Sequence, residues 1–310
     1  MAAIDSIDRK ILWELDANCR VSYEQLSRKL GMTANAVKKR LDSLLETGII
    51  VRFMVIPHNA LIDAEFVSGI VYTDGSESQH EFVEAMGGHS VVHHVSPLVS
   101  VSGGAYHIFG QYRGPEMLLD LGQFLRGLDS VTDVKIYPTL FPPGKKIELT
   151  KLEMKVLSCL LKNPRMQISE IAEMSGLSTR MARKVLRRLE EGGGVRFTVR
   201  WDVNAGDNIS FWIAVQWNPK SFSHDEIKER LANEFSGEYW TSFVAATEPT
   251  IFARFVVDDL RDAYRIVGQV RHAPFVESTE VFVCYSTAAF PWLGESILGE
   301  MLVEAGVHQD

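Results

Sequence analysis

Cysteine is scarce in this chain: Cys19, Cys159 and Cys284 are the three among 310 residues, and no two form a C-x-x-C pair. An odd number so spaced argues against a disulfide framework and predicts a reducing, cytoplasmic setting. Long hydrophobic runs are missing as well. No apolar stretch reaches the ~20 residues needed to cross a bilayer, and the opening residues MAAIDSIDRK have no signal-peptide core. No membrane partner is expected. The motifs H-E-x-x-H, G-x-S-x-G and G-x-G-x-x-G are absent too, so no catalytic signature is present and the sequence predicts a protein that is not an enzyme. Gly192–Gly194 are followed by no Lys-Ser/Thr and sit where a helix should end, which excludes a phosphate loop. His89, His93, His94 and His107 fall within 19 residues. Neighbouring strand residues point to opposite faces, so His93 and His94 are not expected to share a site, and neither a metal nor a cofactor is predicted.

Positive charge is present but confined. The net charge is −8, yet residues 1–54 carry 9 Lys/Arg against 7 Asp/Glu, and residues 147–201 carry 11 against 6. The remaining segments are acidic: 5 against 10 for 55–146, and 7 against 17 for 202–310. Two basic islands in an acidic chain are compatible with nucleic acid binding through those islands.

The second island reads ISEIAEMSGLSTRMARKVLRRLEEGGGVRFTVR over 168–200. Gly176 suits a positive φ in a turn, and Ser178 can cap the helix that follows. Ala182, Val185, Leu186 and Leu189 recur at helical spacing, while Arg180, Arg183, Lys184 and Arg187 fall on the opposite side. This spacing predicts a winged helix-turn-helix recognition helix with a strand as wing. The first island repeats the plan, with turn glycine Gly31, cap Thr33, apolar Val37, Leu41 and Leu44, and outward Asn35, Lys38 and Lys39. The residues expected to touch duplex DNA are Thr33, Asn35, Lys38 and Lys39, and in the second copy Thr179, Arg180, Arg183, Lys184 and Arg187. Arg52 and Arg196 are expected to do so from the wings. Thr33 and Asn35, and Thr179 and Arg180, are the expected base readers.

A shift of 145 residues places Lys10 on Lys155, Asn18 on Asn163, Gly31 on Gly176, Phe66 on Phe211 and Val131 on Val276. Such a period is too long for a solenoid and marks a duplicated two-domain unit. After each wing the period changes to two. The pattern over 66–140, and again over 209–285, reads βαββαβ, an antiparallel sheet with both helices on one face. The predicted fold class is therefore α+β: two winged helix-turn-helix domains and two ferredoxin-like domains in tandem. The expected boundaries are 1–56, 57–141, a linker at 142–148 containing Pro142 and Pro143, then 149–202, 203–290, and a tail at 291–310. Trp292, Ile297 and Leu298 predict a docked helix in that tail.

Ile7-Asp8-Arg9-Lys10-Ile11-Leu12 with Leu15, then Gly31-Met32-Thr33, Lys39-Arg40-Leu41 and Gly48-Ile49-Ile50, resemble the Lrp/AsnC (feast/famine) family of transcriptional regulators. Val101-Ser102-Gly103 resembles that family's effector loop. The resemblance covers residues 4–141 and, more loosely, 149–290. It implies operator binding by the helix-turn-helix and dimerisation and small-molecule sensing by the βαββαβ domain. Since one chain holds both units, copy one is expected to pair with copy two, and further homo-oligomers are compatible with this. An effector is expected at Gly103, Gly104, Tyr106 and His107 of copy one, whereas copy two has Glu248-Pro249 and no glycine there. The alternative is an enzyme: certain tetrapyrrole (siroheme-type) decarboxylases look like paired Lrp units and use histidines in the sheet domain.

Overall fold

The computed structural model describes residues 4–100, 103–141, 144–284 and 286–307. The loop residues Val101 and Ser102, the linker prolines Pro142 and Pro143, and Tyr285 at the expected end of the last strand lie outside them. Copy one comprises α1 (Ser6–Ala17), α2 (Tyr23–Leu30), α3 (Ala34–Glu46), β1 (Ile50–Pro57), α4 (Asn59–Ile62), β2 (Glu65–Thr73), α5 (Gln79–Gly87), β3 (Val92–Leu98), β4 (Ala105–Tyr112), α6 (Gly114–Arg126) and β5 (Val131–Leu140). Copy two comprises α7 (Lys151–Lys162), α8 (Ile168–Ser175), α9 (Thr179–Gly192), β6 (Val195–Trp201), β7 (Ile209–Trp217), α10 (His224–Glu234), β8 (Tyr239–Ala245), β9 (Thr250–Val257), α11 (Leu260–Arg271) and β10 (Val276–Cys284). The short β11 (Ala288–Ala289) and α12 (Leu293–Glu304) follow. The chain folds as two α+β tandem repeats, but its compact units cut across them. One unit holds 65–142 with 203–293, and the other 4–64 with 143–202 and 294–310.

The helical unit assembles both helix-turn-helix segments. Each starts at a capping box: Asp5 and Asp8 on α1, Ser22 and Gln25 on α2, Thr150 and Glu153 on α7. The turns pivot on Gly31 and Gly176, at φ 66° and 67°, which a residue with a Cβ would reach only under strain. The strands expected as wings are present, and each pairs with its counterpart from the other copy. β1 and β6 are single strands that pair antiparallel with each other, from Ile50 opposite Trp201 to Pro57 opposite Val195. The reason is local: Pro57 and the α4 turn stop β1 before a return strand can form, so its available partner is the equivalent strand of the other copy. Arg20 and Arg165, 145 residues apart, answer each other across this seam. Arg20 donates to the Pro164 and Met166 carbonyls, and Arg165 to the Cys19 and Val21 carbonyls. The core is also shared, since Cys19 and Val55 of copy one lie among Val156, Leu160, Ile171, Val185 and Phe197 of copy two. The tail joins it through Leu298, Leu302 and Val307.

The sheet unit contains one nine-stranded sheet in the order β10-β7-β9-β8-β5-β2-β4-β3-β11, with β10 also bonded to β3. Each copy keeps the ferredoxin-like order, and two short joints close the ring: Thr139 and Leu140 against Ala245 and Val244, and Cys284 against Leu98. Strand alternation divides the side chains into layers. Val67, Val71, Ile108 and Val134 face the helices in copy one, as Phe211, Ile213, Ile251 and Phe255 do in copy two. The opposite faces meet in a third cluster with Ile70, Trp212, Phe243, Phe252, Phe282 and Cys284. Trp292 belongs to this unit rather than to the docked tail, and its ring centroid lies 4.0 Å from that of His93.

Truncating either seam arginine leaves two carbonyls without their donor. Arg165→Ala is expected to destabilise the helical unit by about 2 kcal/mol in urea unfolding. Arg165→Lys should not restore the loss, because an ammonium lacks the planar fork that spans two acceptors.

Candidate nucleic-acid interface and the inter-sheet polar cluster

Helix α9 owes its position to its two faces. Ala182, Val185, Leu186 and Leu189 are buried, while Ser178 caps the first turn by accepting from the Met181 N–H at 3.3 Å. That packing leaves Arg180, Arg183, Lys184 and Arg187 all exposed, and no ion pair holds any of them among the described residues. The cations beside the stripe are tethered instead: Arg188 lies 3.3 Å from Glu153, and the α9 carboxylate Glu190 lies 3.4 Å from Arg20. The result is one stripe of four free cations on a fixed helix. Thr179, on the first turn after its cap, is exposed beside them. Helix α3 presents exposed Asn35, Lys38 and Lys39 in the same way, with half the cationic charge.

Three expected DNA-contacting residues are otherwise engaged. Thr33 uses its hydroxyl as the N-cap, accepting from the Ala36 N–H at 3.2 Å, which occupies one of its lone pairs and leaves its O–H proton. Arg52 donates to both carboxylate oxygens of Glu295 at 2.9 Å. Arg196 is bound to Asp16, 3.5 Å from its carboxylate. The wing arginines are thus already paired with carboxylates from α12 and α1, because inter-copy strand pairing brings those helices against the wings.

The expected effector residues are also divided. Thr73 and Gly104 are bonded through both their backbones and the Thr73 hydroxyl. A Cβ on Gly103, where φ is 102°, would lie 2.4 Å from the Thr73 carbonyl oxygen. The glycine pair is therefore a close backbone approach. Tyr106 points to the helix side and donates to Glu77 at 2.7 Å, whereas His107 points to the inter-sheet side. A strand cannot aim consecutive residues at one ligand, so the four residues do not form one site. Conversely, His93 and His94 do come together, with ring centroids 4.1 Å apart. A bulge between Val92 and His94 breaks the alternation. Among the described residues no group of three or more His, Cys, Asp or Glu is placed to hold a metal ion, and no helix is long and apolar enough to cross a membrane.

Sequence reading missed a polar cluster between the sheets. His107 Nε2 lies 2.8 Å from the buried Ser68 hydroxyl, and its ring centroid is 5.6 Å from that of Trp212. The Arg254 guanidinium lies over Trp212 and donates to Ser210 at 2.9 Å. Burial, and secondarily the Arg254 charge, pulls the His107 pKa down to about 3. Burial pushes the neighbouring Cys284 thiol up to about 11. Arg254 was detectable as a lone charge inside TIFARFVV.

The winged helix-turn-helix DNA-binding family model matches residues 4–51 and 149–196. The HTH-type transcriptional regulator PH0045 of Pyrococcus horikoshii is 41% identical over 66 residues, 21% of this chain and 39% of that protein. The regulator Rv2324 of Mycobacterium tuberculosis is 39% identical over 62 residues, 20% and 42% of the two chains. The chain thus spans about two fifths of these relatives' length. The structure of the siroheme decarboxylase NirDL matches 97% of this chain and 99% of its own, with a TM-score of 0.54 and 15% identity, a likeness of fold. That finding overturns the expectation drawn from missing motifs that the chain is not an enzyme. Local motifs report only groups that lie close in sequence, whereas the polar cluster draws on four strands.

His107 gives a pH prediction. Its pKa is depressed on folding, so the unfolded chain binds a proton near pH 6.5 that the native state does not take up until about pH 3. Its contribution to stability should therefore fall as pH drops through that window, by up to about 1.4 kcal/mol per pH unit. His107→Phe, which installs the residue of the equivalent position Phe252, should flatten this limb in denaturant titrations at several pH values.

Proposed function

We propose that the chain is a transcriptional regulator that binds duplex DNA through both winged helices and reads two unlike operator half-sites. The observation supporting this is the exposed stripe Arg180, Arg183, Lys184 and Arg187, which no carboxylate neutralises among the described residues. Arginine and lysine at i, i+3, i+4 and i+7 can bind phosphates or guanine edges in a major groove. Copy two supplies the larger electrostatic share, and copy one contributes Asn35, Lys38 and Lys39. Because α3 and α9 present different side chains, the matching operator is imperfectly palindromic. In a salt-controlled mobility-shift assay, Arg183→Ala with Arg187→Ala should weaken binding more than Lys38→Ala with Lys39→Ala. Removing each phosphate-binding cation should lower the salt slope by about one. Equal and negligible effects would remove the basis for the reading.

A second reading is favoured by the inter-sheet cluster and by the end-to-end likeness to NirDL. On it, the chain is a siroheme-type decarboxylase built from two fused units. Arg254 would pair with a substrate carboxylate, and the neutral His107 imidazole, fixed by Ser68, would manage a proton beside it. Loss of CO2 from an acetate side chain leaves an electron pair on carbon, and one proton completes the methyl group. Incubation with siroheme separates the readings. Release of CO2 that is abolished by Arg254→Leu and His107→Phe supports the enzyme, whereas absence of both turnover and a spectral shift on mixing excludes it.

A further inference from the structure

Tyr264 and Leu260 on α11 and Leu119 on α6 are 84%, 65% and 64% exposed, among the most exposed large apolar side chains of the described residues. Single apolar residues on a surface are ordinary, but these are not scattered. By the 145-residue shift Leu119 and Tyr264 occupy one position, and Pro115 and Leu260 another. Both helices bury their inner faces, through Leu121 and Leu125 in α6 and Ala263, Ile266 and Val270 in α11. That packing turns the same outer face of each helix, with its apolar pair four residues apart, to solvent.

The charges flanking the apolar residues are inverted between the copies. Glu116 and Asp120 flank Leu119, whereas Arg261 and Arg265 stand at the equivalent positions beside Tyr264. Over its whole length α6 carries these two carboxylates against Arg126, and α11 carries three arginines against Asp262. Glu116 is exposed, and Asp120, 3.1 Å from the His89 ring, is exposed as well. Arg265 is held by Glu238 at 2.8 Å and by Asp262 at 3.3 Å. Arg261, its side chain 93% exposed, lies 3.1 Å from the capping Asp259. Those pairs lie in water, where exchanging one carboxylate for another costs little. The signs therefore match α6 to α11 rather than either helix to itself.

We propose that these two faces dock, the α6 face of one chain on the α11 face of a second copy. Leu119 packs against Tyr264, while Glu116 and Asp120 meet Arg261 and Arg265. One turn beyond Tyr264 sits Gly268, where an added Cβ would meet nothing within 4 Å, so the partner helix can approach closely. The contact is heterologous: it leaves one α6 face and one α11 face free, and the assembly closes as a ring or grows as a chain. One helix from each partner buries less than about 1,200 Å² in total, so the association is weak and concentration-dependent. It is the same whether the chain binds DNA or turns over a substrate.

Sedimentation velocity of the intact chain over a range of concentrations at low salt tests this. The average mass should rise above that of one chain with concentration and fall back as salt is added. Tyr264→Ala in one variant, and Glu116→Arg with Asp120→Arg in another, should each give a monomer. Their melting temperatures should stay near that of the parent, because all three side chains are exposed. Mixed together, the two variants should form pairs and nothing larger, since one keeps an intact α6 face and the other an intact α11 face. A mass of one chain at every concentration, association indifferent to these substitutions, or no pairing in the mixture overturns the proposal.

Discussion

The helical unit depends on one constraint: among the described residues, β1 and β6 have no strand partner except each other. A lone strand exposes a row of backbone donors and acceptors, and each unpaired buried group costs on the order of a hydrogen bond. Once the ladder forms, the two three-helix segments are brought against one another. Arg20 and Arg165 then satisfy carbonyls at the opposite copy's helix-to-turn junction. The wing arginines become structural in the same step, because strand pairing sets Arg52 within reach of Glu295, and Arg196 within reach of Asp16. What remains for a nucleic acid is the cation set that packing does not consume, concentrated on α9.

The sheet unit shows how duplicated halves diverge once they share one chain. Ferredoxin-like strand order is retained in both, yet facing positions differ: His107 answers to Phe252, and Phe109 to Arg254. One copy contributes the imidazole, the other the guanidinium, and neither would form the polar cluster alone. Aromatic rings pack around it, with Phe243 stacked on Phe252 at 4.8 Å and Trp212 at 5.3 Å from Phe243. Burial among these rings strips the imidazolium of hydration, which chiefly accounts for the depressed His107 basicity, with the Arg254 charge adding to it.

Much of the fold was legible in the sequence because its signals are local. The 145-residue repeat, the Gly31 and Gly176 turns, the amphipathic α9 and the period-two strands each need only neighbours a few positions away. The failures needed distant partners. Nothing near Ile50 indicates that its ladder lies some 150 residues on, or that Glu295 will reach Arg52. The His93–His94 pairing depends on a bulge that no alternation pattern encodes. The grouping of Tyr106 with His107 was different, since period two already sends them to opposite faces.

The seam between the copies also fixes what kind of event pairing is. In a regulator assembled from separate chains, the two reading heads come together by a concentration-dependent encounter, and dilution takes them apart. Here the β1–β6 ladder closes within one polypeptide, so pairing is a step of folding and its effective concentration is set by the connecting chain. Each seam position is also encoded once rather than twice. A substitution at Met54 leaves Thr198 opposite it untouched, so either side of the axis can change without its mirror image. Covalent fusion thereby frees the protein from the symmetry that a true dimer imposes on every mutation.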